Sequence, residues 1–249
     1  MRQFLVLLKR ELGSYFVSPI AYVMICFFLG VMGISFWMLI AVMAQGTRDV
    51  TVMRALFSES IFFWIAILIA IPVVTMRLFA EEKHSGTIET LMTAPVTDAK
   101  VVLAKYFGAV LFFAAMWVPT VAYLWVMRYF SAEGAPIDAG LVASSYIGVL
   151  LMSSAFISIG VLTSALTRNQ ITAAITAFAA IFVLFLAGFV PYISSDPTVQ
   201  NVGSYFSAVS HMIDFSYGAL DTRPIILYVS LTALILFITI RAVESRRWK

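Results

Sequence analysis

Residues 77–105 read RLFAEEKHSGTIETLMTAPVTDAKVVLAK, one compact polar stretch in a chain that is otherwise almost entirely apolar. Immediately before it, residues 60–76 carry no charge, and immediately after it neither do residues 106–127. Each flanking run approaches the roughly 20 apolar residues that a helix needs to cross the hydrocarbon core of a bilayer. Further out, uncharged runs cover 20–44, 140–167 and 171–195, and a last span covers 224–243 once Arg241 is allowed to snorkel. Composition agrees. Of the 249 residues 62% are hydrophobic and only 12% are charged, against roughly 25% charged in soluble domains. The sequence therefore predicts an all-α membrane protein, with six transmembrane helices forming a single domain over 1–249. The polar stretch is its one dense non-membrane segment.

Lysine and arginine counts set the orientation. Twelve fall on the side that holds both termini, residues 77–105 and Arg168; four (Arg48, Arg54, Arg128 and Arg223) fall on the other. Both termini and the polar stretch are therefore expected to be cytoplasmic. The short Arg168-Asn169-Gln170 linker predicts a tight hairpin, because one continuous helix through it would overshoot the bilayer. The first apolar run is too long for a leader's hydrophobic core, so we expect it to be retained rather than cleaved.

In residues 1–18, Phe4, Leu5, Leu8, Leu12, Tyr15 and Phe16 recur at helical spacing, with Arg2, Lys9 and Arg10 elsewhere around the wheel. This predicts an amphipathic helix in the cytoplasmic interface, ended by Ser18-Pro19. Residues 196–224 mix Val202, Tyr205, Phe206, Met212 and Phe215 with Asp196, His211, Asp214 and Asp221. They are expected to form short extracytoplasmic helices before the sixth span. In the fourth span Ser144/Gly148, Ser154/Ser158 and Gly160/Ser164 are spaced by four, a pattern that permits close helix approach. Pro72, Pro119 and Pro191 can each kink a span. Cys26, the one cysteine, reads as a small buried hydrophobe.

Several function classes are disfavoured. The uncharged cores of the spans hold no ionisable residue, whereas proton relays and voltage sensors are usually marked by them. No phosphate-binding glycine loop, HExxH, CxxC or nucleophile elbow occurs, so the chain is not expected to be an enzyme or to carry a cofactor. His84 and His211 fall on opposite sides of the expected membrane. Nothing suggests nucleic acid as a partner. Phe62, Phe63, Trp64 and Phe178 could line a path through the membrane, but packing or lipid contact accounts for them more simply.

The polar stretch can be parsed residue by residue. Glu81 and Glu82 fall at the C-terminal end of the second span, where carboxylates oppose the helix dipole, so some other group is expected to want them there. Ser85-Gly86 breaks the helix after Lys83. Gly86 or Thr87 can start another, with Glu89 at a favourable third position. Ile88, Leu91 and Met92 then share one face, and Ala94-Pro95 stops the helix. Thr97 can cap the next helix, with Asp98 in its first turn. On periodicity alone, a solvated loop resting on headgroups fits these residues equally well.

Glu81-Glu82-Lys83, Gly86-Thr87-Ile88-Glu89-Thr90-Leu91, Ala94-Pro95 and Lys105 together resemble the cytoplasmic stretch of ABC-2-type exporter permeases. The run Leu7-Leu8-Lys9-Arg10-Glu11-Leu12 through Ser18-Pro19-Ile20-Ala21-Tyr22 looks more narrowly like the gliding-motility-type subfamily. The resemblance implies that the short helix is a coupling helix docking on a separate ABC ATPase subunit, which would hold ATP-Mg. The contact would use Glu81, Glu82, Lys83, Gly86, Thr87, Ile88, Glu89, Leu91, Met92 and Pro95, together with Lys9, Arg10 and Glu11 of the interfacial helix. It further implies a second permease subunit, a bacterial inner-membrane location, and room for an auxiliary extracytoplasmic subunit. The competing reading is a non-transporting anchor for an ATPase-containing motility or envelope complex.

Overall fold

The computed structural model describes residues 2–44, 52–87, 96–130, 138–193 and 196–245. Among these, every regular element is helical. In chain order they are α1 (Arg2–Val17), α2 (Pro19–Ala44), α3 (Val52–Phe57), α4 (Ile61–Thr75), α5 (Arg77–His84) and α6 (Asp98–Trp117). A single 3₁₀ turn, Val118–Thr120, leads to α7 (Val121–Phe130) and α8 (Ala139–Leu166). Then come α9 (Gln170–Ala187), α10 (Val190–Ile193), α11 (Pro197–Phe206), α12 (Ala208–Ser216) and α13 (Thr222–Glu244). Among the described residues, six stretches are long and apolar enough to cross a membrane: Pro19–Ala44, Ile61–His84, Asp98–Tyr129, Ala139–Leu166, Gln170–Ala187 and Thr222–Glu244.

Local chemistry explains many of the boundaries. Asp138, Asn169, Asp196 and Asp221 each accept a bond from the backbone N–H two residues on, capping α8, α9, α11 and α13. The Asn169 cap lets α8 and α9 form a tight hairpin. Ser18 separates α1 from α2, and Pro19 opens the latter, where its missing N–H costs nothing. Pro119 falls in the 3₁₀ turn that divides α6 from α7. Pro72 lies within α4, and Met76, between α4 and α5, keeps a helical backbone with its N–H bonded to the Pro72 carbonyl at 2.9 Å.

The central helix, α8, packs against α4, α5, α6, α9, α12 and α13. Its small residues serve packing within the chain. A Cβ at Gly160 would lie 2.1 Å from Thr75 Oγ1, and one at Gly148 would lie 2.6 Å from the Phe215 ring. Ser144 Oγ donates to the Phe215 carbonyl at 2.7 Å, holding α12 against α8. An aromatic cluster fills the adjacent core: the Trp117 ring stands 4.8 Å from Phe28 and 5.6 Å from Phe57, with Phe63 and Tyr146 around it.

One expectation changes here. Cys26 is exposed on the outward face of α2, not buried. With apolar residues all round the helix, the sequence could not say which face turned inward. Phe63 and Trp64 belong to the packed core, while Phe178 stays partly exposed and stacks on Phe182 at 5.5 Å.

Candidate functional site

At one end of the bundle, charge is buried. The helix α6 begins at Asp98, eight residues before the uncharged run, with Thr97 at the cap position in extended geometry and its hydroxyl making no capping bond. Lys105 is therefore inside a helix and not in a loop, and its side chain is only 3% exposed. Its Nζ lies 2.7 Å from Glu82 Oε1 and 3.1 Å from Glu11 Oε1, and 5.3 Å from the centre of the Phe79 ring. An ammonium buried alone would lose several kcal/mol of hydration; two carboxylates and an aromatic face replace the water here.

The two carboxylates arrive from opposite directions. Glu82 comes from the last turn of α5. Glu11 comes from α1, which lies along the first half of α6. Gly108 makes that approach possible, because a Cβ there would sit 3.1 Å from Glu11 Cβ. One turn further on, Tyr15 stacks on Phe112 with centroids 4.6 Å apart. The Tyr15 hydroxyl donates to the Val74 carbonyl at 3.0 Å. Burial pushes its ionisation well above the usual phenol range; Glu11 adds to the shift and Arg77 opposes it.

The rest of α5 is fastened on every side. Arg77 Nε donates to Glu81 Oε2 at 2.8 Å, and its Nη1 donates to the Ser18 hydroxyl. Ser164 of α8 accepts from the N–H groups of Phe79 (3.0 Å) and Ala80 (3.2 Å) and donates to the Met76 carbonyl at 3.1 Å. Lys83 Nζ donates to the carbonyls of Ala165 and Thr167, placing a cation on the C-terminal end of α8. Beyond α5 comes Ser85, then Gly86 with φ of +73°, in the left-handed region that glycine adopts freely. Between these groups lies a polar cavity of about 320 Å³, lined by Arg10, Glu11, Arg77, Glu81, Glu82 and Lys105 among others. On its lining Glu82 Oε2 is buried and, among the described residues, has no hydrogen-bond partner.

The structure thus brings Glu81, Glu82 and Glu11 around one cavity, with Arg10 on its rim, while Lys83 reaches instead to the end of α8. Lys9 and Arg10 are exposed. Gly86 and Thr87 follow directly; Thr87 Oγ1 is 2.9 Å from the Ser85 hydroxyl. Ile88, Glu89, Leu91, Met92 and Pro95, and with them the expected short helix, lie outside the described residues. Sequence reading missed the roles of Arg77, Gly108 and Ser164, and the burial of Lys105. One signal was present: Lys105, Gly108 and Phe112 recur at i, i+3 and i+7 and so share a helix face.

The family described as ABC-2 family transporter protein matches residues 40–240, which takes in Glu82, Lys105 and α8 but not α1. The chain is also similar to the "Probable multidrug ABC transporter permease YbhS" of Escherichia coli strain K12 and of Escherichia coli O157:H7. Identity is 27% over 187 residues in each case, or 70% of this chain and 47% of the relative. The chain spans about half the length of the curated relatives it matches. Helical architecture, six membrane-length spans and a family match over most of the sequence lead to one conclusion: the chain belongs to the ABC-2 family of transporter membrane proteins.

Proposed function

We propose that this chain is the permease subunit of an ATP-driven ABC transporter. It forms a path for substrate across a bacterial inner membrane when joined to a second permease subunit and to separate ATPase subunits. ATP-Mg belongs to those ATPases, and the termini and residues 77–105 face them from the cytoplasmic side. The observation that carries the reading is the fastening of α5. The polar stretch leaves the membrane-length helix through a segment tied to the α1–α2 junction by Ser18, to α6 and α1 by Lys105 with Glu11, and to α8 by Ser164. A force applied just beyond Gly86 has a stiff route into three helices.

On this reading Ile88, Leu91 and Met92 supply an apolar face for a groove on the ATPase. Thr87, Glu89 and Pro95 define the ends of that helix, while Glu81, Glu82 and Lys83, with Lys9, Arg10 and Glu11, brace it from the membrane side. The multidrug wording attached to the Escherichia coli relatives makes hydrophobic small molecules the first substrates to test.

The test is Leu91→Asp and Glu89→Lys in the full permease–ATPase complex, reconstituted in vesicles. Both variants should insert and melt like the parent. Substrate-dependent ATP hydrolysis and vesicle transport should both collapse. Normal coupled turnover in both variants would sink the proposal. ATP hydrolysis that never responds to any transported compound would favour the anchoring role instead.

A further inference from the structure

A second cavity, of about 610 Å³, lies at the other end of the bundle. Its position follows from the hairpin at Asn169. Lys83 meets the carbonyls at the C-terminal end of α8, and α9 starts beside them and runs away for 18 residues, about 27 Å. Leu184, Ala187 and Val190, at the far end, form one wall. Leu227 and Leu231 of α13 form the facing wall, and Phe156 of α8 closes the floor. Over the opening lies α11, which buries none of its residues yet turns Val199, Val202 and Phe206 toward the cavity.

Three observations identify the occupant. First, the lining offers almost nothing to a polar ligand. Its polar side chains are those of Thr198, which is exposed, and Tyr228, whose hydroxyl is already 3.0 Å from His211 Nδ1. Water needs two to four polar partners to settle in a cavity, so this one does not suit it. Secondly, the volume falls within the range of ligand sites, roughly 300–1,000 Å³, and walls without contacting atoms forfeit their dispersion energy. Thirdly, the cavity lies between membrane-length helices: Leu184 and Ala187 of α9 and Leu227 and Leu231 of α13 line it. The outward residues of the same helices, Val183 and Leu186 on α9 and Ile226 and Val229 on α13, are apolar and exposed, as a lipid-facing surface requires.

We propose that this cavity is a binding site for one acyl chain of a bilayer phospholipid, drawn from the leaflet at that end of the bundle. The chain enters between α9 and α13 and ends against Phe156. The headgroup stays in the interface beside α11, whose first turn is capped by Asp196 and carries Thr198. The helix α11 is then the cover of a lipid site, held by the chain beneath it. The site is independent of the coupling segment and stands or falls separately from it.

The test uses the full-length chain in nanodiscs of phosphatidylethanolamine and phosphatidylglycerol. A phosphatidylcholine tracer carries a diazirine near the end of one acyl chain. After irradiation, adducts are mapped by mass spectrometry. The expected result is adducts on Leu184, Ala187, Val202, Phe206, Leu227 and Leu231 severalfold above those on Ile226, Val229 and Phe237, which face outward. Ala187→Trp, which fills the cavity, should remove the first set, retain the second and leave the melting temperature unchanged or higher. Even labelling over both sets overturns the site. So do cavity adducts that survive Ala187→Trp in a folded protein. So too does crosslinking of the lining residues to a second copy of the chain, or labelling by a free diazirine fatty acid but not by the phospholipid. If Ala187→Trp does not fold, the parent's labelling ratio decides the matter alone.

Discussion

Lys105 Nζ and Glu82 Oε1, 23 residues apart in sequence, meet at 2.7 Å in a nearly closed environment, with Glu11 Oε1 completing the contact at 3.1 Å. One cation thus joins α1, α5 and α6. Replacing it leaves two carboxylates facing each other away from water. Lys105→Met should cost about 3 kcal/mol, the usual penalty for orphaning a buried charge. Adding Glu82→Gln to that variant should return part of the loss. Thermal unfolding in detergent of the parent, the single variants and the double variant measures the coupling. Equal melting temperatures for parent and Lys105→Met would show that the contact contributes nothing.

The contact between Gly160 and Thr75 leaves no room for a methyl group. Gly160→Ala should destabilise by about 1–3 kcal/mol through overpacking, and Gly148→Ala, against the Phe215 ring, by a similar amount. Gly30, whose Cβ position is open, is the control. Ala there should be neutral or stabilising by about 0.5–1 kcal/mol. Identical size-exclusion and melting profiles for all three variants would contradict the tight approach of α4 to α8.

The Ser164 hydroxyl serves two N–H groups and one carbonyl at the start of α5. Ser164→Ala removes all three partners at a buried position and should cost about 1–3 kcal/mol. Hydrogen exchange at Phe79 and Ala80 should rise well above that at Ile67, in the middle of α4. Unchanged protection at both amides would rule out the staple.

The far end of the bundle should respond to pH. His211 is buried, and burial lowers its affinity for a proton; the Tyr205 backbone and the Asp221 carboxylate oppose this in part. The unfolded chain, titrating near the ordinary value of about 6.5, therefore takes up the proton first. Stability is full above that value and falls with acidification down to the lowered folded value. Asp214 acts oppositely in a more acidic window. Burial, then Asp221, raises its carboxyl above 3.8, so acidification into that range stabilises. Melting temperatures at about pH 7.5 and 5.5 lie on either side of the ordinary imidazole value. The parent should lose stability across that interval and His211→Gln should lose less. Parallel curves would assign the effect to other groups.

Much of this architecture was legible because lipid imposes a simple code. Length and lack of charge mark the six membrane-length stretches. Ser18-Pro19, Asn169 and Gly86 mark breaks whose chemistry is local. The cluster around Lys105 was not legible as such, because its members come from three helices and 94 residues separate Glu11 from Lys105. The carboxylates at the end of the second span gave a partial warning, since both oppose the helix dipole. Their partners proved to be Arg77, one turn away, and Lys105 on another helix. The inward and outward faces of α2 were beyond reach, because Cys26 and Phe28 look alike to any hydropathy scale yet one is exposed and the other fully buried.

Gly86 ends α5 with its backbone in a conformation that other residues resist. The eight residues before it are held at Ser18, Ser164, Lys105 and the end of α8. If the chain is the permease proposed above, a short rod clamped along its length acts as a crank, and the left-handed residue at its end sets the angle at which the backbone leaves it. Substituting Gly86 would therefore strain that exit while leaving the clamps at Ser18, Ser164 and Lys105 in place.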